Sequence, residues 1–258
     1  MIVLLPQFRA PKSPISHGGL CIRACRDEDL NGQSPKQMIL GMELFGSGRN
    51  GTSTWTIADI PNSEVPPNAI AALGDLMTGR WRAVLKRAQA PFGTAQTQEL
   101  PLFRLTADRA RLFTRGLRTL TKHKKLRIAA ERWHTGVRRS ETLDSVLDMC
   151  SSLEACFSLG DELRLRLAFA AYFSTKTRRR RAFSVTYSMY GIRNSFIHGS
   201  KIPDVSGVQG TQFVEVVAHI LLNAFRTGKL STAESITNGL LRAHGERPRT
   251  PIHLNRHS

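Results

Sequence analysis

The sequence predicts a mainly α-helical protein, with a helical C-terminal half and a small α/β region before it. Two contrasts along the chain favour this fold class. Proline and glycine interrupt residues 1–100 at short intervals, whereas residues 102–200 contain no proline and little glycine. In the second stretch apolar residues recur at spacings of three and four, which is typical of helices packed on one face. The apolar fraction of 41% is ordinary for a folded domain with a buried core.

The first hundred residues are expected to form the small α/β region, and the sequence does not disclose its role. Segments 37–45 and 52–60 are rich in Ile, Thr, Trp and Phe and are bounded by turn residues, so they predict short strands. Residues 67–89 predict one helix, because apolar side chains recur along them at near-helical spacing.

A series of helices is expected after residue 102. Ser140 and Asp161 are candidate N-caps, and Gly160 and Gly199 are candidate helix ends. The predicted helices span 108–133 (one helix or two), 140–157, 161–173, 178–197, 210–225 and 231–244. The chain therefore divides into the region 1–100, a helical domain at 104–227, an accessory helix at 228–244 and a basic, disordered tail at 245–258.

The charge balance indicates a polyanionic partner. The 258 residues carry 37 Lys and Arg against 20 Asp and Glu, a formal net charge of +17. Such a balance favours nucleic acid or an anionic membrane surface. The apolar start at residues 1–5 is too short for a signal peptide, and no segment approaches the roughly 18 apolar residues of a spanning helix. We therefore expect a cytoplasmic protein that binds nucleic acid rather than a membrane.

Two helical segments hold much of the excess positive charge. Residues 104–139 contain twelve Lys and Arg against two acidic residues, and residues 176–181 contain five in six positions. Two such clusters flanking one candidate site predict a surface that binds RNA phosphates. The alternative is a solvated face whose charges repel one another. The candidate RNA-binding residues are Lys122, Lys124, Lys125, Lys176, Arg178, Arg179, Arg180 and Arg181.

The four cysteines are expected to be reduced thiols, and the protein is expected to need no metal or cofactor. His17, Cys21 and Cys25 could supply three zinc ligands, but no fourth ligand is evident. Cys150 and Cys156 lie on an apolar helical stretch, where we expect them to pack in the core.

Two further groups of polar and aromatic residues have structural explanations. Glu215, His219 and Asn223 recur every four residues along a predicted helix; they could face a cleft, but a polar outer face explains them. Tyr187 and Tyr190 could stack on a base, but we expect both in the helical core.

The segment Tyr190–Gly199 carries the chemistry of the chain. It places Arg193, Asn194 and His198 in the last turns of a predicted helix. An arginine is a permanent cation and histidine titrates near neutral pH, so the pair can hold an anion and transfer a proton. Asn194 and His198 share a helix face, whereas Arg193 lies about 140° around the helix from His198. Both reach one target only if the last turn loosens or a second chain contributes.

This Arg-Asn-x-x-x-His-Gly pattern after an aromatic residue resembles the Arg-x4-6-His signature of HEPN domains, and its context is similar to their Apea-like branch. Residues 130–133 (Ala-Glu-Arg-Trp), residues 152–157 and the stretch from Tyr187 to Tyr190 fit the same family. The resemblance covers about residues 104–227. It implies an up-and-down helical bundle that forms a homodimer in which two such motifs face each other.

The resemblance also implies a metal-independent endoribonuclease. His198 would act as general acid or base while the ribose 2′-OH attacks the phosphate, and Arg193 would stabilise the phosphoryl charge. Asn194 would orient the histidine or the phosphate, and Glu154 would hold Arg193 in place. RNA supplies its own nucleophile, so this chemistry needs a proton shuttle and an anion clamp.

The family further implies a setting in antiviral defence or toxin–antitoxin systems, with an antitoxin or regulatory partner. Non-catalytic members also occur. The alternative is therefore an RNA-binding or protein-interaction module in which Arg193 pairs structurally with Glu154 and His198 caps helix carbonyls.

Overall fold

The computed structural model describes residues 2–4, 8–9, 13–17, 20–24, 56–59, 65–90, 100–101, 103–157, 176–199 and 205–228. The strand predicted at 37–45, the helices predicted at 161–173 and 231–244, and the tail at 245–258 lie outside these residues. Within them the protein is mainly helical, with seven α-helices and six short strands.

The strands build one antiparallel sheet and one short parallel pair. They are β1 (Ile2–Leu4), β2 (Phe8–Arg9), β3 (Ile15–His17), β4 (Leu20–Ala24), β5 (Thr56–Asp59) and β6 (Phe103–Arg104). The antiparallel sheet has the order β1-β5-β4-β3, and β2 pairs in parallel with β6. β5 lies within the strand predicted at 52–60. Ile22 of β4 is fully buried, because the sheet packs against the helices.

The helices predicted between residues 102 and 227 are confirmed wherever the structure describes them. The observed helices are α1 (Pro67–Thr78), α2 (Trp81–Ala88), α3 (Ala107–Lys122), α4 (Lys124–Val137), α5 (Thr142–Phe157), α6 (Lys176–Ile197) and α7 (Gly207–Thr227). Between α3 and α4, His123 adopts an extended conformation, so this segment forms two helices rather than one.

One helix over residues 67–89 is a wrong prediction. Gly79 ends α1 with φ of 73°, and α2 begins two residues later at Trp81. A residue in the left-handed conformation cannot continue a right-handed helix, whatever the apolar spacing on either side of it.

Two predicted helix starts also shift. The first backbone hydrogen bond of α5 runs from Ser145 N–H to the Glu141 carbonyl, so Glu141 rather than the predicted Ser140 precedes its first turn. The helix predicted from residue 210 begins at residue 207, because the side chain of Ser206 accepts a hydrogen bond from Gln209 N–H at 3.3 Å.

Helices from both sides of residue 100 share one hydrophobic core. Leu73 of α1 packs so closely on Gly116 of α3 that a Cβ at that position would overlap its side chain. Trp81 of α2 meets Trp133 of α4 edge to face, with ring centroids 6.1 Å apart. The Trp133 indole N–H donates to the carbonyl of Val214 in α7 at 3.5 Å. The helices before residue 100 therefore help to position the bundle that follows it.

A buried ion cluster joins α1 to the end of α4. Asp75 and Arg80 are each 1% exposed. Asp75 Oδ2 lies 2.7 Å from Arg138 Nη2, and Asp75 Oδ1 lies 3.8 Å from Arg80 Nη1. Burial lowers the pKa of Arg80 to about 10, although the charge of Asp75 opposes this shift. One buried carboxylate thus compensates two guanidinium groups.

Candidate functional site

The end of α6 has the geometry that the motif predicts. His198 N–H donates to the Asn194 carbonyl at 3.0 Å, and Gly199 N–H donates to the Phe196 carbonyl at 3.1 Å. Gly199 then leaves the helix with φ of 66°. Because this left-handed turn stops the helix abruptly, the side chain of His198 is exposed at its tip.

Arg193 and Glu154 form an ion pair between α6 and α5. Arg193 Nη2 lies 3.5 Å from Glu154 Oε1, and the two side chains are 33% and 39% exposed. Arg193 Nη1 also donates to Asn194 Oδ1 at 3.1 Å. Three of the four predicted catalytic residues therefore lie in one partly exposed cluster. The contact between Glu154 and Arg193 is the one that the resemblance implies.

Tyr190 supports this cluster from the core. Its hydroxyl lies 3.4 Å from Glu154 Oε1 and 3.5 Å from the Cys150 carbonyl, while the residue is only 3% exposed. Burial raises the pKa of Tyr190 far above its ordinary value, and the negative charge of Glu154 adds to this effect. The phenol therefore stays protonated and can donate to the carboxylate that holds Arg193.

The sequence predicts a core position for Tyr190, with base stacking as the alternative, but not its contact with Glu154. Its spacing carries a signal: Tyr190 precedes Arg193 by three residues, so the two side chains share a helix face. Tyr187 is 61% exposed, and its predicted place in the core is therefore wrong.

His198 stands apart from the cluster. Among the described residues, the imidazole of His198 forms no hydrogen bond and no ion pair. It is therefore bonded neither to Arg193 nor to Glu154. It follows Arg193 by five positions, which corresponds to about 7.5 Å along the helix axis. A single chain therefore presents an arginine held by Glu154 and, five residues later, an exposed histidine that is not paired with it.

The predicted lysines lie at the same end of the bundle as Glu154. Lys122, Lys124 and Lys125 are exposed where α3 gives way to α4. The helices α4 and α5 run antiparallel, because Ser152 Oγ donates to the Ala129 carbonyl at 2.7 Å while earlier residues of α5 pack on the end of α4. The beginning of α4, with its lysines, therefore lies beside the end of α5.

The arginine run occupies the opposite end of α6. Arg178, Arg180 and Arg181 are exposed and Arg179 is half-buried, whereas the side chain of Lys176 lies outside the described part of the structure. Along an α-helix the run is about 21 Å from Arg193. The two basic clusters predicted from the sequence are thus on different elements, at different distances from the motif.

The structure also describes the two core cysteines and the polar residues of α7. Cys150 and Cys156 are buried in the core, as predicted, and burial raises the pKa of Cys156 to about 12. His219 and Asn223 lie on the outer face of α7, as predicted. Glu215 on the same helix lies 3.8 Å from Arg82 of α2.

No cluster of three His, Cys, Asp or Glu side chains that could hold a metal ion occurs among the residues the structure describes, and Cys25 of the zinc candidate lies outside them. Over the same residues, no helix is both long enough and apolar enough to cross a membrane.

In comparisons with known proteins, the chain matches no protein-family model, no curated protein and no solved structure. The resemblance to HEPN domains therefore depends on the residues of the motif and its helical context.

Proposed function

We propose that the protein is a metal-independent endoribonuclease of HEPN type that acts through Arg193 and His198. The observation that carries the proposal is the Arg193 cluster: a half-exposed guanidinium, oriented by Glu154 and Asn194, on the same helix as an exposed histidine five residues later at its end. This arrangement offers a fixed cation for a phosphate and an unhindered imidazole for proton transfer.

The reaction would begin at the ribose of the RNA. His198 accepts the proton of the 2′-OH, and the 2′-oxygen attacks the adjacent phosphorus while the bond to the 5′-oxygen breaks. The leaving 5′-oxygen takes up a proton from the imidazolium of His198 or from water, and the products carry a 2′,3′-cyclic phosphate and a 5′-hydroxyl. Arg193 stabilises the negative charge that develops on the phosphoryl oxygens.

A homodimer would complete such a site. Arg193 and His198 lie about 140° apart around α6, so their side chains leave one helix in different directions. In a dimer, Arg193 of one copy and His198 of the other can face the same phosphate. Lys122, Lys124 and Lys125 at the same end of the α4–α5 pair would attract the RNA. We expect the enzyme to act in the cytoplasm, in antiviral defence or in a toxin–antitoxin pair.

Cleavage assays in EDTA test the proposal. Wild type, His198→Ala, Arg193→Ala and the control His123→Ala are incubated with single-stranded and structured RNA. We expect wild type and the control to cleave and both motif variants to lose at least about 100-fold in rate. A 2′-deoxy substitution at the scissile position should block cleavage. Intact RNA with all four proteins, each folded by circular dichroism, would refute the proposal.

A non-catalytic RNA-binding module is the second candidate. It is favoured by the fact that Glu154 already compensates Arg193, while the imidazole of His198 contacts neither residue. In that case wild type binds RNA with a strong dependence on salt, cleaves none, and is unaffected in affinity by His198→Ala.

A further inference from the structure

A regular stripe of cations follows one face of α3. Arg111, Arg115, Arg118 and Lys122 are spaced by four, three and four residues, and all four are exposed. At 100° per residue they fall within an arc of about 60° and extend about 16 Å along the helix. Four charges aligned in this way present a straight positive edge to solvent.

The helix α7 continues this edge. Arg115 Nη1 donates to the carbonyl of Arg226 at 3.2 Å, which satisfies one of the last carbonyl groups of α7. Thr119, one turn further along α3, lies against Gly228 at the end of α7. The two helices therefore run in the same direction here, and Arg226, whose side chain is exposed, adjoins Arg115 of the α3 stripe through its backbone.

His219 lies on the face of α7 that also carries Arg226, seven residues further along the helix. Partial burial lowers the pKa of His219, and the positive charges of Arg178 on α6 and Arg226 on α7 lower it further. A lowered pKa favours the neutral imidazole, so His219 is not counted among the cations. The cations of α3 and of the end of α7 are neighbours, and we call them the α3–α7 ridge: Arg111, Arg115, Arg118, Lys122 and Arg226.

The ridge differs from the other basic positions because most of its cations form no ion pair with an acidic residue. On α4 and just after it, Arg132 and Arg139 share the buried carboxylate of Asp148, at 3.5 and 3.0 Å. Among the described residues, Arg115, Arg118, Lys122 and Arg226 form no ion pair with an acid, whereas Arg111 pairs with the exposed Asp108. The ridge therefore keeps uncompensated positive charge at the surface, where it repels itself unless an anion binds.

The surroundings favour a nucleic acid over a membrane. Surfaces that bind lipid combine cations with exposed apolar side chains. The exposed large apolar residues of the described chain are Ile128, Tyr187, Phe196, Ile197 and Val208, and none belongs to α3 or to the last three turns of α7. A narrow line of cations without apolar neighbours matches a phosphate backbone.

We infer that the α3–α7 ridge binds the phosphate backbone of an RNA strand along α3 and across the end of α7. The inference rests on the proposed function only in taking RNA as the partner, and it concerns binding whether or not Arg193 and His198 cleave. It assigns Arg111, Arg115, Arg118 and Arg226 to RNA recognition, in addition to the candidate RNA-binding lysines and arginines of the two sequence clusters.

The test replaces three ridge cations that make no ion pair: Arg118→Gln, Lys122→Gln and Arg226→Gln in one variant. Arg115 is retained, since it caps α7. The control, Lys86→Gln, Arg87→Gln and Arg132→Gln, removes the same charge from α2 and α4. All proteins carry His198→Ala so that the RNA stays intact, and circular dichroism verifies their folding. Fluorescence anisotropy with a labelled single-stranded RNA gives Kd over a series of KCl concentrations.

We expect the ridge variant to bind RNA at least about tenfold more weakly, and its slope of log affinity against log salt to fall by about 2, as three lost phosphate contacts require. The control should keep the wild-type slope. Equal losses in both variants would overturn the inference, because they would show a response to net charge alone. Binding to phosphatidylserine vesicles but not to RNA would overturn it as well.

The outcomes for ridge and motif are separable. If the wild type cleaves RNA and the ridge variant binds RNA as tightly as its parent, the inference about the ridge is refuted and the proposed function stands. Salt-dependent binding that the ridge variant loses, without cleavage by the wild type, would support the ridge and remove the proposed nuclease activity.

Discussion

The guanidinium of Arg193 lies 3.5 Å from the carboxylate of Glu154, and the phenol of Tyr190 lies 3.4 Å from the same carboxylate oxygen. Glu154 is therefore shared between a buried donor and a half-exposed cation. The buried donor fixes the carboxylate on α5, and the carboxylate in turn fixes the direction of Arg193 on α6. An arginine held in this way can meet a phosphate without first losing its side-chain freedom.

Glu154→Gln separates the orientation of Arg193 from its charge. Gln has nearly the same size, but it no longer compensates the guanidinium, so we expect RNA to bind equally well or more tightly. Because Arg193 is less firmly oriented, we expect the single-turnover cleavage rate to fall by about 10- to 100-fold. Rate and Kd are measured on the same RNA. Glu131→Gln on α4 serves as the control and should change neither. A parallel loss of rate and affinity would contradict a positioning role for Glu154.

Asp75→Asn should be one of the most destabilising single substitutions in the described part of the chain. It removes the carboxylate that lies beside the guanidinium of Arg80, which is 1% exposed, and with it the 2.7 Å contact to Arg138. Breaking a buried ion pair on one side costs about 3–5 kcal/mol in the free energy of unfolding. Urea denaturation measures the change.

The matched control is Asp108→Asn, which breaks an ion pair whose Arg111 and Asp108 side chains are 65% and 89% exposed. We expect a change within about 0.5 kcal/mol, since exposed pairs contribute little. If the two substitutions changed the free energy of unfolding by similar amounts, burial would not explain the contribution of the Asp75 cluster to stability.

Gly116→Ala should destabilise the contact between α1 and α3. A methyl group at this position overlaps the end of Leu73, and overpacking of this kind costs about 1–3 kcal/mol. In the double variant Gly116→Ala with Leu73→Ala the new methyl has room, so the double variant should lose less than the two single changes together. Additive losses at Gly116 and Leu73 would contradict the contact.

Gly191→Ala on α6 meets no atom within 4 Å and should raise stability by about 0.5–1 kcal/mol.

Local patterns explain what could be predicted from the sequence. The helices α3 to α7 follow from uninterrupted apolar periodicity and nearby capping residues, and the end of α6 follows from Gly199. The break after α1 was missed because the apolar spacing continues across Gly79, so only its backbone conformation reveals the stop. The sequence also does not distinguish the buried Tyr190 from the exposed Tyr187. Tyr190 faces α5 and Tyr187 faces solvent, and this difference depends on how α6 is rotated against α5.

Tertiary contacts explain what could not be predicted. The pairing of Glu154 with Arg193 was expected only through the family resemblance, because no local rule joins positions on two separate helices. The α3–α7 ridge depends on the contact between Arg115 and the Arg226 carbonyl, residues that lie far apart in the sequence. Composition revealed the positive charge, but the packing of α7 between α3 and α6 decides which charges are neighbours.

His134 predicts how stability depends on pH. Its side chain is buried in the last turn of α4, and this burial, with the nearby charge of Arg138, lowers its pKa well below 6.5. Between that lowered value and about pH 6.5 the unfolded chain binds a proton at this position and the folded chain does not. The free energy of unfolding should therefore decrease as the pH falls below about 6.5, with a contribution from His134 of up to about 1.4 kcal/mol per pH unit. His134→Gln cannot titrate, so urea denaturation from pH 8 to pH 5 should show a smaller loss of stability than in wild type. Equal pH slopes for the two proteins would mean that His134 takes up its proton in the folded state as readily as in the unfolded one.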